Sequence, residues 1–277
     1  MAIITLITDF GTRDEYVGVL KGVIGGIAPE TRIIDITHHI PAHDICGAAF
    51  LLKAAFPWFP AGSIHMAVVD PGVGSARAIV AAQTAGHFFI APDNGLLIPL
   101  IDAHGSDALI AVEARRYFRE PFSRTFHGRD IFAPVAARLS LGAALREFGP
   151  PIDRTRLNGL SWPQAHIDEN GCLHGHVVWV DRFGNLITDL QHAQLEAVAA
   201  AGDGKSLHIH VAGRIIKGLA SCYSEVPEGA PAAIIGSREC LEIAVNRGSA
   251  ESMFALGRGA PVLVSAARDT APAGGVD

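Results

Sequence analysis

Short apolar runs alternate with amphipathic stretches through the first half of the chain, and this alternation constrains the fold more than any other feature. The runs from Ile3 to Thr8, Arg32 to Thr37 and Ser63 to Val69 have the length and the branched residues of strands. The segments between them, Asp14 to Ile27 and Asp44 to Ala55, have the wider apolar spacing of helices. The pattern predicts βαβ units, which build a mostly parallel sheet with helices on both faces.

The chain then predicts an antiparallel addition to this sheet. Ala78 to Ala82 and His87 to Ala91 have the pattern of a hairpin, and a further strand begins at Ala108. Asp130 is a residue type that caps helices, and it precedes a helical stretch. We therefore expect a mixed α/β domain over residues 1–155.

The second half of the chain has a different pattern of residues. From about Gly149 to Glu169 the chain has Pro150-Pro151, Trp162-Pro163 and polar residues but no sustained periodicity, which indicates a linker, placed at residues 156–170. Residues 171–267 contain short strand-like runs, which predict a smaller all-β, barrel-like domain. Residues 268–277, rich in alanine, glycine and proline, are expected to form a disordered tail. The runs are Leu173 to Val180, Leu186 to Thr188, Leu207 to Val211, Ala232 to Ile235, Leu241 to Val245 and Val262 to Ser265.

Charge and composition exclude several classes of partner. The chain has 22 Lys and Arg against 28 Asp and Glu and no basic run, so its sequence lacks the basic patch that indicates nucleic-acid binding. The N-terminus lacks a basic lead, and its apolar run is too short for a signal peptide or a membrane span, which predicts a cytoplasmic location. A small-molecule ligand is the expectation that remains.

Several acidic residues follow predicted strands. Asp9 and Asp70 stand at the carboxyl ends of two strands, where ligands bind in open α/β sheets. Asp14, Arg77 and His127 complete a set suited to holding a polar ligand and handling a water molecule. The alternative for Asp70 is a structural one, because Asp before Pro-Gly often only starts a turn.

Other kinds of site are less well supported. His174 with His176, and His208 with His210, place imidazoles in pairs on strand faces, but no Cys or carboxylate lies at ligand spacing. Gly72-Val73-Gly74 lacks the later glycine or lysine of phosphate-binding loops. No Gly-x-Ser-x-Gly elbow occurs, so covalent catalysis is not indicated.

Five segments carry a more specific signal, and they follow one another along nearly the whole chain. They are Ile7–Gly18, Val68–Gly74, Ala91–Leu97, Thr125–Pro134 and Val180–Asn185. Together they resemble the S-adenosyl-L-methionine hydroxide adenosyltransferase family, which is related to fluorinase and chlorinase. The resemblance implies an α/β domain followed by a β barrel, in a homotrimer with active sites between neighbouring subunits.

The resemblance also implies a role for individual residues. Asp70, Arg77 and His127 would surround the water that attacks the ribose C5′ of S-adenosyl-L-methionine, which yields adenosine and methionine without a metal or another cofactor. From the residues alone, the substrate contacts named next also have purely structural interpretations. Asp14 and Asp181 could cap turns, Asn185 could be a turn residue, and Ser237 could belong to a solvated loop. The implied contacts are Asp9 on the ribose hydroxyls, Asp14 and Asp181 near the methionine ammonium, Ser237 near its carboxylate and Asn185 on the adenine edge.

Three departures from the family pattern affect these expectations. The family usually has Asn-Ser and then a glycine before its Leu-Glu-Ile-Ala strand, where this chain has Gly236 to Cys240. Asp189 stands where a related Asn is common, and His43 stands where the halide enzymes carry a tryptophan. None of these positions belongs to the triad.

The chemistry needs help only for the nucleophile, because the leaving group is a neutral thioether departing from a sulfonium. A guanidinium about 4 Å from the water contributes roughly 4 kcal/mol at an effective dielectric near 20, too little to preform hydroxide at neutral pH. We therefore expect Asp70 or His127 to take the proton as the C–O bond forms, while Arg77 orients the water.

Three other functions remain open on sequence grounds. A halide-using adenosyltransferase would make a 5′-halo-adenosine, but the halide enzymes lack the triad and carry a tyrosine where Asp70 stands. A sensor would bind S-adenosyl-L-methionine or adenosine without turnover. A metal hydrolase would use His127 with Asp70.

Overall fold

The computed structural model describes residues 2–160, 164–202, 204 and 206–267. The chain divides into two compact units, Met1–Trp162 and Pro163–Asp277. This division falls within the segment 156–170 that we predicted as a linker. The predicted tail, 268–277, lies outside the described residues.

The first unit is built on a six-stranded sheet with the order β2-β1-β3-β5-β4-β6. The first four of these strands run parallel, and β4 is antiparallel to both β5 and β6. The predicted mixed α/β architecture is therefore confirmed. The strands are β1 (Ile3–Thr8), β2 (Arg32–Thr37), β3 (Ile64–Val68), β4 (Ile79–Thr84), β5 (His87–Pro92) and β6 (Ala108–Ala111).

Four α-helices accompany this sheet within the described residues of the unit. The first begins two residues later than predicted and is rich in glycine, so it depends on the burial of Val17, Leu20 and Ile24 rather than on helix propensity. The second is capped by Asp44, which accepts a hydrogen bond of 2.8 Å from Gly47 N. In the described ranges no helix is long and apolar enough to cross a membrane. The helices are α1 (Tyr16–Ile27), α2 (Ile45–Ala55), α3 (Ile98–His104) and α4 (Ala133–Ser140).

The centre of the sheet determines where the candidate residues emerge. All five residues of β3 are buried, as expected for a strand covered on both faces. Thr8 at the end of β1 pairs with Val68 at the end of β3. Asp9 and Asp70 therefore follow neighbouring parallel strands at the same carboxyl edge of the sheet.

The expected cap at Asp130 is wrong. A π-helical turn, Gly128–Phe132, begins directly after His127 and continues into α4, so Asp130 lies inside the first turn and not before it. Its carboxylate is fully buried and accepts bonds from Arg129 Nε (2.7 Å), Arg129 Nη2 (2.8 Å) and Ser123 N (2.7 Å). Asp130 thus ties the segment before His127 to the turn after it.

In its described residues, the second unit is an antiparallel, nearly closed barrel with two α-helices, α5 (His192–Ala201) and α6 (Ala250–Phe254). The strand order is β11-β10-β14-β8-β9-β13-β12, and β7 pairs with β8. The barrel-like prediction is confirmed, although the short strands β7 and β11 were not predicted. The strands are β7 (His166–Ile167), β8 (Leu173–Val180), β9 (Leu186–Gln191), β10 (Leu207–Val211), β11 (Arg214–Lys217), β12 (Pro231–Ile235), β13 (Cys240–Val245) and β14 (Pro261–Ala266).

Candidate functional site

The loop after β3 closes on itself through an ion pair. Arg77 Nε donates to Asp70 Oδ1 at 2.8 Å, and Arg77 Nη2 donates to Asp70 Oδ2. The two side chains are only 9% and 5% exposed. Because a planar guanidinium holds both carboxylate oxygens, the pair has a fixed orientation as well as a charge.

The same loop packs tightly against the segment that leads to His127. Gly74 has φ +78°, and a Cβ atom at this position would lie 2.2 Å from the carbonyl oxygen of Arg124. Only glycine combines this left-handed backbone with so close an approach. The glycine therefore allows the two loops of the candidate site to meet.

His127 is joined directly to the ion pair. Arg77 Nη2 donates to His127 Nδ1 at 3.0 Å, and His127 is only 9% exposed. Burial lowers the pKa of His127 and the Arg77 guanidinium lowers it further, while Asp70 and Asp130 oppose the shift. A guanidinium can only donate, so Nδ1 must be unprotonated, and the proton of the neutral ring lies on Nε2. The structure thus brings together the three residues of the expected triad.

Two aromatic rings contact this group, and a cluster of three more lies in neighbouring segments of the chain; none was predicted as part of the site. Arg77 lies 5.9 Å from the ring centre of Phe132, and Phe122 packs edge-on to His127. Phe126 makes edge contacts with the rings of Phe10 and Tyr16. Periodicity cannot predict contacts between these distant segments.

Asp9 is held at one carboxylate oxygen. Its Oδ2 accepts from the backbone N of His43 at 3.0 Å, and His43 adopts the left-handed φ of +66°. His43 therefore contacts Asp9 through its main chain, whatever side chain the related enzymes carry there. Asp14 is exposed in the loop before α1.

Asp181 and Asn185 belong to the second unit and lie in one turn between β8 and β9. Asp181 Oδ1 accepts from the backbone N of Phe183 (2.8 Å) and of Asn185 (3.0 Å), and its Oδ2 accepts from Asn185 Nδ2 at 2.9 Å. These contacts are those of a turn-capping carboxylate. Phe183, at the tip of the turn, is 76% exposed, which is unusual for a large apolar side chain.

Ser237 also belongs to the second unit and is exposed in the turn between β12 and β13. Gly236 N donates to Cys240 O at 3.0 Å and closes this turn. Glu239 has φ +56°, a conformation that glycine adopts more easily. The family's glycine is thus missing from a turn in which Glu239 adopts the left-handed conformation.

Tyr223 and Glu242 form a pair near this turn that the sequence did not indicate. The Tyr223 hydroxyl donates to Glu242 Oε1 at 2.7 Å, and Glu242 is only 6% exposed. Burial, together with the Glu242 and Asp181 carboxylates, raises the pKa of Tyr223 to about 12. The hydroxyl therefore remains a donor at every ordinary pH.

The histidine pairs of the second unit make local contacts. His174 Nε2 lies 3.0 Å from Asp168 Oδ2, and the ring of His174 stacks on that of His166. Asp189 Oδ1 accepts from the backbone N of His176 at 2.7 Å, and burial raises the pKa of Asp189. Across the described ranges, no three His, Cys, Asp or Glu side chains converge as metal ligands.

A cavity of about 670 Å³ lies in the first unit, away from the triad. It is bounded by α1, by the segment from Arg116 to Arg119 and by Arg138 on α4. No triad side chain lines it. The arrangement of Asp70, Arg77 and His127 is therefore the stronger indication of chemistry in this unit.

The chain is similar to known proteins over most of its length. The chain matches the model of the SAM hydroxide adenosyltransferase N-terminal domain over residues 4–149 and that of the C-terminal domain over residues 175–263. It is 39% identical to the (R)-S-adenosyl-L-methionine hydrolase of Thermus thermophilus, over 92% of this chain and 96% of that protein. A fluorinase of Actinoplanes sp. is 27% identical, over 96% of this chain and 98% of that protein. The crystal structure of a conserved protein from Thermotoga maritima superposes with a TM-score of 0.87 at 32% identity, over 96% of this chain and 100% of that one.

Proposed function

Since the chain belongs to the SAM hydroxide adenosyltransferase family, we propose that it converts S-adenosyl-L-methionine and water to adenosine and L-methionine. The observation that carries this proposal is the buried, hydrogen-bonded group formed by Asp70 and Arg77 after β3 and by His127 before the π-helical turn. The water attacks the ribose C5′ opposite the sulfur, and the three residues hold and activate it.

Asp70 is the base in this proposal. Arg77 donates to Nδ1 of His127, so the neutral imidazole has no free basic nitrogen and offers only its Nε2–H. Arg77 cannot accept a proton. The Asp70 carboxylate is the one anionic member of the group, and each of its oxygens keeps a lone pair beyond the bond to Arg77.

The reaction needs no preformed hydroxide. The sulfonium leaves as a neutral thioether, so the water proton can pass to Asp70 while the C–O bond forms and the C–S bond breaks. Arg77 stabilises the charge that develops on the attacking oxygen, and the Nε2–H of His127 is free to orient the water. Alignment of the water behind C5′ supplies a further part of the rate.

The substrate contacts follow the family resemblance. Asp9 holds the ribose hydroxyls with the carboxylate oxygen that His43 N leaves free. Asp14 and Asp181 bind the methionine ammonium, Ser237 its carboxylate and Asn185 the adenine edge. In this proposal S-adenosyl-L-methionine is the substrate, and the reaction uses no cofactor.

The family resemblance that assigns these contacts also supports a homotrimer in which neighbouring subunits complete each other's active sites. The proposed location is the cytoplasm, where S-adenosyl-L-methionine is made and used. Neither nucleic acid nor a membrane has a place in this function.

The test is an isotope experiment. The purified protein is incubated with S-adenosyl-L-methionine in ¹⁸O-water, and the products are separated and analysed by mass spectrometry. We expect adenosine that carries ¹⁸O in its 5′-hydroxyl, together with unlabelled methionine. Failure to form adenosine, or unlabelled adenosine, would refute the proposal.

The same assay separates the alternatives. With added fluoride or chloride, a halide enzyme would give 5′-halo-adenosine, whereas the buried Asp70 carboxylate repels an entering halide ion. A metal hydrolase would lose activity to a chelator, and a sensor would bind the nucleoside without any product.

A further inference from the structure

We propose that His38 is a positioning residue for the ribose contact: with Thr8, it holds the turn that presents the Asp9 carboxylate. The inference rests on the proposed function, because it takes Asp9 as the residue that binds the ribose hydroxyls. His38 itself is 3% exposed and has no direct contact with substrate to offer.

The bond between Thr8 and His38 is the centre of this arrangement. Thr8 Oγ1 and His38 Nδ1 are 2.8 Å apart, although the residues are 30 positions apart in the chain. Thr8 is fully buried, and the same hydroxyl accepts from the backbone N of Phe10 at 3.3 Å. The hydroxyl thus links the imidazole to residues on both sides of Asp9.

The main chain of His38 holds the far side of the same turn. Gly11 N donates to the carbonyl oxygen of His38 at 2.7 Å. The turn from Thr8 to Gly11 is therefore attached to His38 once through the ring and once through the backbone. Asp9 lies between these two attachments, which restrain its backbone, while His43 N holds its Oδ2.

The other ring nitrogen of His38 lies beside a carboxylate. Nε2 lies 3.1 Å from Asp35 Oδ1, although not in the direction of a regular hydrogen bond, and Lys21 Nζ binds Asp35 Oδ2 at 2.6 Å. A carboxylate beside Nε2 favours a proton on that nitrogen. Nδ1 is then the acceptor that the Thr8 hydroxyl needs.

The first unit contains a matched control on the same strand. Thr5 Oγ1 and His65 Nδ1 are also 2.8 Å apart, and both residues are fully buried. This pair lies in the middle of β1 and β3, away from the carboxyl edge. Loss of the Thr5 hydroxyl should lower the stability of the fold about as much as loss of the Thr8 hydroxyl. It should not change the position of Asp9.

The experiment compares T8V with T5V in the full-length protein. The measured quantity is the ratio of the dissociation constants of 2′,3′-dideoxyadenosine and adenosine, which isolates recognition of the ribose hydroxyls, alongside KM and kcat. We expect T8V to lower this ratio about five- to tenfold and to raise KM more than it lowers kcat. T5V should leave the ratio and KM close to those of the wild type, while lowering the melting temperature by a similar amount.

Two substitutions of His38 provide a second test. Asn carries an amide oxygen near the position of Nδ1, whereas Gln carries its amide nearer to Nε2. We expect H38N to keep the ribose discrimination and H38Q to lose it. Equal ratios in wild type, T8V and H38Q, or an equal loss in T5V, would overturn the proposal. A wild-type protein that neither hydrolyses S-adenosyl-L-methionine nor prefers adenosine would instead refute the proposed function.

Discussion

Arg77 and His127 are 50 residues apart in the chain, and yet one guanidinium N–H of Arg77 reaches His127 Nδ1 at 3.0 Å. The same guanidinium holds both oxygens of Asp70. Arg77 therefore determines the tautomer of the imidazole and the orientation of the carboxylate together.

We predict that D70N lowers kcat about a thousandfold, because Asn cannot accept the proton of the water. The substitution keeps the size of the side chain, so adenosine should bind within about threefold of the wild-type affinity. Steady-state kinetics and calorimetric titration with adenosine measure the two effects. Turnover close to wild type would remove Asp70 as the base.

The pH dependence of kcat/KM should reflect the neutral state of His127. Burial and then Arg77 lower its pKa below the usual 6.5, so the ring stays neutral as the pH falls to that value. We expect kcat/KM to remain level from about pH 8 to about pH 6.5 and to decline only when the pH falls through the lowered pKa of His127, where a proton on Nδ1 meets the guanidinium. In H127N the decline of kcat/KM that protonation of the imidazole causes should be absent. A decline centred at or above pH 7 would contradict the assignment.

G74A should damage the site through the backbone. Its Cβ would lie 2.2 Å from Arg124 O, so the loop that carries Arg77 must move away from the segment that leads to His127. Gly62 is the control, because it has φ +82° and a Cβ added there would have no atom within 4 Å. We expect G62A to cost about 1 kcal/mol of unfolding free energy and to keep kcat. G74A should cost about 1–3 kcal/mol and lower kcat at least about tenfold. Equal kinetics in the two variants would refute the role of this close approach.

The first unit should lose stability in acid because of His65. Burial, and then neighbouring His87, lowers the pKa of His65 to about 3. Above about pH 6.5 the ring is neutral in both the folded and the unfolded chain. Below it only the unfolded chain takes up the proton, so the free energy of unfolding should fall by about 1.4 kcal/mol per pH unit down to about pH 3. Urea unfolding of wild type and H65Q between pH 7.5 and pH 5 measures the slopes, and parallel slopes would contradict this prediction.

Mixed trimers can test whether active sites are shared between subunits. D70N carries a defect in the first unit and N185A one in the second, so co-expression should produce some sites with neither defect. If neighbouring subunits complete each site and the two chains mix at random, about a quarter of the sites are intact. We expect recovery of about that fraction of wild-type activity, with the mass of a trimer in solution. No gain over the separate variants would exclude shared sites.

Much of the first unit could be predicted because its signals are local. β1 and β2 begin and end where the apolar runs do, and Asp44 caps α2 as its position before the helix suggests. The shared edge of Asp9 and Asp70 followed from the parallel order of their strands. The five quoted segments supplied the family and, with it, the expected triad.

What could not be predicted depends on contacts between distant segments. Asp130 has the residue type and position of a cap, but a π-helical turn places it inside the helix and its partners are Arg129 and Ser123. The bond from Tyr223 to Glu242 joins two segments of the second unit that share no pattern. Such pairs depend on strand register and side-chain direction, which periodicity does not specify.

The loop from Asp70 to Arg77 is braced by its own bonds, from Val73 N to Asp70 O, from Ser75 N to Gly72 O and from Arg77 N to Ser75 Oγ. The loop's own hydrogen bonds thus help to hold the carboxylate and the guanidinium in place, in addition to the support of the sheet. Because the ion pair also meets His127, and Gly74 packs against Arg124, a protein engineer who exchanges this loop for that of a related enzyme must exchange the segment leading to His127 with it.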